Sequence, residues 1–203
     1  MKAALKGTES GAGLRSFVAV PLPATMQAEV FAAAQLLAGE LPAIKWSRKV
    51  ENLHVTLKFL GPIAEARIGE VGGALARAVG ELPRFGIELK GMGAFPSPTR
   101  ASVIWAGVED RTGGLERVAK VVEVVAAELG VGEKESRAFH AHVTVGRSKE
   151  GADVRAAVAR FAARDFGAAS VDEVHLYESR LGGGPDHAGS TYILRHRAAL
   201  SSN

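Results

Sequence analysis

Cysteine is absent from this 203-residue chain, which excludes disulfides, a thiolate nucleophile and a cysteine-held zinc site. Long apolar runs are missing too. None approaches the ~18–20 residues that a membrane-spanning helix needs, so the chain is expected to have no membrane association. The first thirteen residues offer Lys2 and Lys6, but Thr8, Glu9, Ser10, Gly11 and Gly13 stand where a signal peptide would place an apolar core. Met1–Gly13 therefore reads as a disordered leader and residues 14–203 as a single bilobal domain, with a cytoplasmic location. Aromatic residues make up only 6%. Four of them, Trp46, Phe59, Phe95 and Trp105, sit in apolar strand context, where core packing is the expected use rather than base stacking. Charge of either sign is unremarkable in total: the net charge is +3.

Two segments stand out against this background. His54-Val55-Thr56-Leu57 and His142-Val143-Thr144-Val145 repeat a histidine and a threonine separated by one apolar residue. The chain has six histidines and seven threonines, and a shuffled version would hold about 0.2 such His-x-Thr matches. Both copies lie in strand-like sequence. Side chains alternate along a strand, so each segment presents one imidazole and one hydroxyl on one face and anchors its apolar residues on the other. Two such units facing each other would supply a pair of acid–base groups flanked by neutral donors, which is equipment for phosphate chemistry.

Strand signals run over Arg15–Val20, Ile44–Trp46, Leu53–Leu60, Phe85–Leu89, Val103–Val108, Ala141–Gly146, Val171–Glu178 and Thr191–Arg197. Helical periodicity marks Thr25–Ala38, Ala64–Glu81, Gly114–Leu129 and Val154–Ala163, with the Val118–Val125 stripe expected in the core. Ile44–Trp46 and Leu53–Leu60 read as a hairpin-like pair. Each half of the chain offers helix, His-x-Thr strand, helix. The expected fold is α+β: two pseudo-symmetric lobes of antiparallel sheet with outer helices, the motif strands facing a central cleft.

Positive charge gathers near both motifs, in Lys45, Arg48, Lys49 and Lys58 at the first and Arg137, Arg147 and Lys149 at the second. An electropositive cleft would attract a polyanion; a solvated strand end is the plainer reading of any one lysine. Of the other histidines, His140 is expected beside the cleft or partly exposed, and His175, His187 and His196 on solvated faces. His54, His140 and His142 lack a carboxylate or cysteine at ligand spacing, so no metal site is expected.

The flanking residues extend the pattern. Arg15-Ser16-Phe17-Val18-Ala19-Val20-Pro21-Leu22-Pro23, Lys45-Trp46, Glu51 through Gly61, Gly91 through Pro96, Val103 through Val108, Phe139 through Arg147 and Val174 through Ser179 together resemble the 2H phosphoesterases. Within them, the chain is similar to the RNA 2′,3′-cyclic phosphodiesterases, once called 2′-5′ RNA ligases. It departs from them at Ala141, where proline is common, and in a longer Gly182–Gly189 stretch. The resemblance implies a monomeric, metal-independent hydrolase without cofactor, acting on RNA ends or small nucleotides that carry a cyclic phosphate. His54 would be the general acid and His142 the base, giving a 2′-phosphomonoester, and reversal would give 2′-5′ ligation. Thr56 and Thr144 would bind the phosphate oxygens. Arg147 would clamp the phosphate, which requires a bend at Gly146, because strict alternation turns it away from His142. Two alternatives stand: a 2H enzyme for another cyclic or 2′-5′ nucleotide, and a non-catalytic RNA or nucleotide binder.

Overall fold

The computed structural model describes residues 13–181 and 189–202. The expected leader, Gly13 apart, lies outside these residues, as do His187 and most of the Gly182–Gly189 stretch. Among the described residues nine strands form one antiparallel sheet, eight of them in the order β7-β4-β5-β6-β3-β1-β8-β9, with β2 paired to β6 off that path. They are β1 (Leu14–Pro21), β2 (Lys45–Trp46), β3 (His54–Ile63), β4 (Phe85–Phe95), β5 (Ala101–Glu109), β6 (His142–Ala152), β7 (Asp165–Val171), β8 (Glu173–Leu181) and β9 (Ser190–Ala199). Four strands lie on each side of the β6–β3 junction, so the two motif strands are the innermost of their lobes. The expected architecture is present, with the lobes fused into one curled sheet.

Four helices cover one face: α1 (Ala24–Glu40), α2 (Ile68–Val79), α3 (Gly114–Glu128) and α4 (Arg155–Ala159). Their buried residues follow helical spacing, as with Met26, Val30, Ala33, Ala34 and Leu37 of α1, and Leu115, Val118, Val122 and Val125 of α3. The lobes exchange cover. Helix α1 leaves β1 yet packs against β6 and β7 of the other lobe, whereas α3 leaves β5 and packs against β3 and α2. The core lies between helices and sheet, where Val18, Val20, Val55, Leu89, Ile104 and Val143 are almost wholly buried.

Three expectations need correction. Ile44–Trp46 does not form a hairpin with the first motif strand: β2 pairs with β6, setting Lys45 beside Arg147 and Trp46 beside Gly146. The stretch read as one strand over Val171–Glu178 starts on the last residue of β7, breaks at Asp172 and continues as the first six residues of β8. Strand β7, Asp165-Phe-Gly-Ala-Ala-Ser-Val171, has weak strand propensity of its own and owes its form to its ladder with β4. Lys58 does not belong to the cationic cleft. It pairs across from the core residue Val18 on the helix-covered face, where its buried ammonium meets Glu123 Oε2 at 2.6 Å and the Glu133 carbonyl at 2.7 Å. Beside it, Gly132 adopts φ +74°, and its backbone lies so close that an added Cβ would stand 2.9 Å from the Phe59 carbonyl oxygen. The loop leading to the second motif is thus pinned to the first motif strand.

Candidate active site

The two motif strands touch through one antiparallel pair, Val55 with Val143. Extending that register by one residue each way sets His54 across from Thr144 and Thr56 across from His142. Val55 and Val143 point into the core. All four polar side chains therefore stand on the opposite, helix-free face, related by the same two-fold that relates the lobes.

Both imidazoles are fixed in one tautomer. His54 Nδ1 lies 2.7 Å from the Asn52 carbonyl, and His142 Nδ1 lies 2.7 Å from the His140 carbonyl. A carbonyl oxygen only accepts, so each Nδ1 carries the hydrogen and each Nε2 keeps its lone pair. Thr56 Oγ1, 3.0 Å from His54 Nε2, donates to it. Burial of the His54 ring holds its pKa down at about 4; the Asn52 carbonyl opposes this shift and the neighbouring His142 adds to it. Burial also lowers the His142 pKa, with the His140 carbonyl opposing and the positive charge of Arg147 assisting.

Bulges finish the site. In β6, Trp105 pairs with Thr144 but Ile104 pairs with Gly146, so Val145 is an extra residue. This shifts the alternation and brings Arg147 back to the face of His142 and Thr144. The bend expected at Gly146 is a bulge one residue earlier. In β3, Ala19 pairs with Thr56 and Val18 with Lys58, so Leu57 is the corresponding extra residue. It throws Phe59 onto the site face, the position that Arg147 holds in the other lobe. Phe59 is 64% exposed, and the expectation that it packs in the core is overturned.

A cavity of about 660 Å³ opens on this face. His54, Thr56, Thr144, Phe59 and Tyr192 line it, together with Trp46 and the cations Arg15, Lys45, Arg48, Lys49 and Arg147. No carboxylate is among its described lining residues. Arg137 and Lys149 do not line it; Arg137 pairs with Glu135 instead. His142 stands one step along β6 beyond the lining, its half-buried ring edge-on to Phe95 at 5.2 Å. His140 is exposed, and its contribution is the carbonyl that holds His142. Between α1 and β7 a second hollow of about 380 Å³ carries Glu29 and Asp165 and no histidine.

Two histidines depart from expectation. His175 is 5% exposed rather than solvated, and bonds to Tyr177 and Glu173 on its own strand. His196 is half-buried and lies over Gly72 of α2. Among the described residues, no three His, Asp or Glu side chains gather as metal ligands, and no helix is long and apolar enough to cross a membrane.

A bilobal antiparallel sheet with one His-x-Thr strand from each lobe at its centre is the arrangement expected of a 2H phosphoesterase. The sequence profile of the 2′-5′ RNA ligase superfamily matches residues 24–183. A protein of Aeropyrum pernix named RNA 2′,3′-cyclic phosphodiesterase is 39% identical over 131 residues, 64% of this chain and 72% of that protein. One of the same name from Archaeoglobus fulgidus is 32% identical over 169 residues, covering 83% and 92%. The crystal structure of Escherichia coli LigT complexed with 3′-AMP is similar with a TM-score of 0.72 and 25% identity, covering 92% of this chain and 98% of that one. The chain belongs to the 2′-5′ RNA ligase superfamily.

Proposed function

We propose that the protein hydrolyses 2′,3′-cyclic phosphates at RNA ends or on nucleotides to 2′-phosphomonoesters, without a metal ion or cofactor, and that His54 and His142 are its acid–base pair. One observation carries this reading: two imidazoles of fixed tautomer and two threonine hydroxyls share one face, with His54 and both threonines lining a cavity edged by cations and His142 at its border. The names of the Aeropyrum and Archaeoglobus relatives support the substrate class.

In the proposed reaction one histidine takes a proton from water as its oxygen attacks phosphorus. The other gives a proton to the departing 3′ oxygen, and the phosphate remains on the 2′ oxygen. Thr56 turns from His54 to a non-bridging oxygen, Thr144 donates to the other, and Arg147 neutralises the charge that grows there. The pair must share a single proton. In the free protein His142, with the smaller depression, holds it more readily than His54. A phosphate anion seated against His54 Nε2 raises that ring's pKa, as the acid role implied for His54 requires. With a 5′ hydroxyl in place of water as the nucleophile, the same groups join it to phosphorus as the P–O3′ bond breaks, giving a 2′-5′ linkage.

The test is turnover of 2′,3′-cyclic AMP and of a short RNA with a 2′,3′-cyclic end, in EDTA, with the 2′- and 3′-phosphate products resolved. Release of 2′-phosphate that disappears in His54→Ala and His142→Ala supports the reading. A folded protein inert on both substrates rejects it.

A further inference from the structure

Beneath His54 lies a row of polar groups for which the proposed reaction has no use. Glu173, His175 and Tyr177 alternate along β8 and so share a face, the one that Phe17 of β1 presents to the cavity. His175 Nε2 lies 2.6 Å from Glu173 Oε1, and His175 Nδ1 lies 2.7 Å from the Tyr177 hydroxyl oxygen. Arg197 Nη1 of β9 donates to the same Glu173 oxygen at 2.8 Å. The directions of these bonds follow from the ends. Glu173, paired with Arg197, accepts from both sides, so His175 Nε2 donates to it. The other ring nitrogen, Nδ1, is held by the Tyr177 hydroxyl. Each buried polar atom of His175 has a partner.

The row ends at the catalytic wall. The Tyr177 ring stacks on Phe17 with centroids 5.3 Å apart and planes 23° apart. Phe17 in turn lies 5.0 Å from the His54 ring, and Tyr192 meets His54 edge-on at 5.3 Å. The rings that keep water from the back of His54 thus rest on a hydroxyl held by His175.

We propose that the Glu173–His175–Tyr177 chain is a positioning device that fixes the orientation of the His54 ring by holding Tyr177 against Phe17. The other lobe shows the alternative that a pure filler would take. His175 faces Ala19 across the β1–β8 ladder; at the equivalent place in the second lobe Gly93 faces Trp105, whose ring fills the space. There an apolar ring suffices. Under His54 a directional hydrogen-bonded chain stands in its place.

The inference rests on the reading of His54 as catalytic, and its test separates the two. His175→Leu, which removes both hydrogen bonds, is compared with His175→Gln, which retains a donor and an acceptor, and with Tyr177→Phe, which keeps the ring but not the hydroxyl. For His175→Leu and Tyr177→Phe, kcat on 2′,3′-cyclic AMP should fall about tenfold with KM changed less than about twofold, the cost of a misaimed catalytic group. His175→Gln should recover most of the loss. In the NMR spectrum the ring-current shift of the His54 Cε1 proton should move toward its unstacked position in His175→Leu and Tyr177→Phe but not in His175→Gln. That readout needs no turnover, so it tests the geometry even if the cyclic-phosphate reading fails. If His175→Leu does not fold, Tyr177→Phe carries both measurements. A lowered melting temperature with kcat and the His54 resonance unchanged would make the chain mere packing and overturn the proposal.

Discussion

The cavity around His54 holds more positive charge than one cyclic phosphate needs, and this has a measurable consequence. Among the described residues five cations line it and no carboxylate does. Trp46, Phe59 and Tyr192 stand among them, the combination of charged groove and ring faces that suits a single strand. A mononucleotide brings one phosphate; a four-nucleotide RNA with a cyclic end brings about three that Lys45, Arg48, Lys49 and Arg15 can reach. Counterion release from single strands gives a slope of about −0.7 per neutralised phosphate in log affinity against log salt. Between about 50 and 200 mM salt, binding of the tetranucleotide, with its cyclic phosphate and three linkages, should weaken about 50-fold and that of the mononucleotide about 2.6-fold. KM measured for both across this range, under conditions where chemistry is slow, reads the two slopes. Lys45→Ala and Lys49→Ala should each flatten the tetranucleotide slope by about 0.7. Equal slopes for the two substrates would mean that the cations do not follow a strand, whatever the catalytic outcome.

Other expectations follow from the same geometry. With His54 titrating at about 4 and His142 below its ordinary value, kcat/KM of the free enzyme should be bell-shaped with its maximum below about pH 6.5; a maximum above pH 8 would contradict the pairing. A histidine whose pKa is depressed on folding lets the unfolded chain take up the proton first. Stability should therefore fall as pH drops from about 6.5 to 4, and His54→Gln should show a shallower fall than the parent in urea titrations. The acid is identifiable from a phosphodiester with a nitrophenol leaving group: the alanine variant lacking the acid should lose far less activity on it than on a cyclic phosphate, whereas the variant lacking the base should lose as much on both. At the Lys58–Glu123 pair, Glu123→Ala strands a buried ammonium, and with Glu123 34% exposed the cost should be about 2–3 kcal/mol, a melting-temperature drop of about 5–10 °C. Lys58→Met should cost only about 1 kcal/mol, because Glu123 can turn to water; the reverse order would refute the argument.

Much of this was legible in the chain before folding. The doubled His-x-Thr pattern gave both the strands and the faces, because period-two alternation is a local property of sequence. The four helices announced themselves through spacing. What lay hidden was set by pairing between distant strands. A bulge is a relation between two strands, so neither Leu57 nor Val145 carries any mark of being an extra residue, and the exposure of Phe59 and the inward turn of Arg147 were unreadable from alternation alone. Lys58 looked like its cationic neighbours because its partner, Glu123, lies 65 residues on. His175 looked solvated because Glu173 and Tyr177 are polar. In the fold those same neighbours satisfy it, and burial becomes affordable.

The exchange of helices between the lobes bears on how the chain is made. The lobe that holds β3 and β1 is completed by β8 and β9 and covered by α2 and α3; the lobe that holds β6 and β5 is covered by α1 from near the start of the chain. A ribosome that has released only the first hundred residues has produced α1 and α2, one helix for each lobe, and part of each lobe's sheet, with neither core closed. The chain is therefore expected to fold as one late, cooperative unit, and a split version should recover the groove only when both fragments are present together.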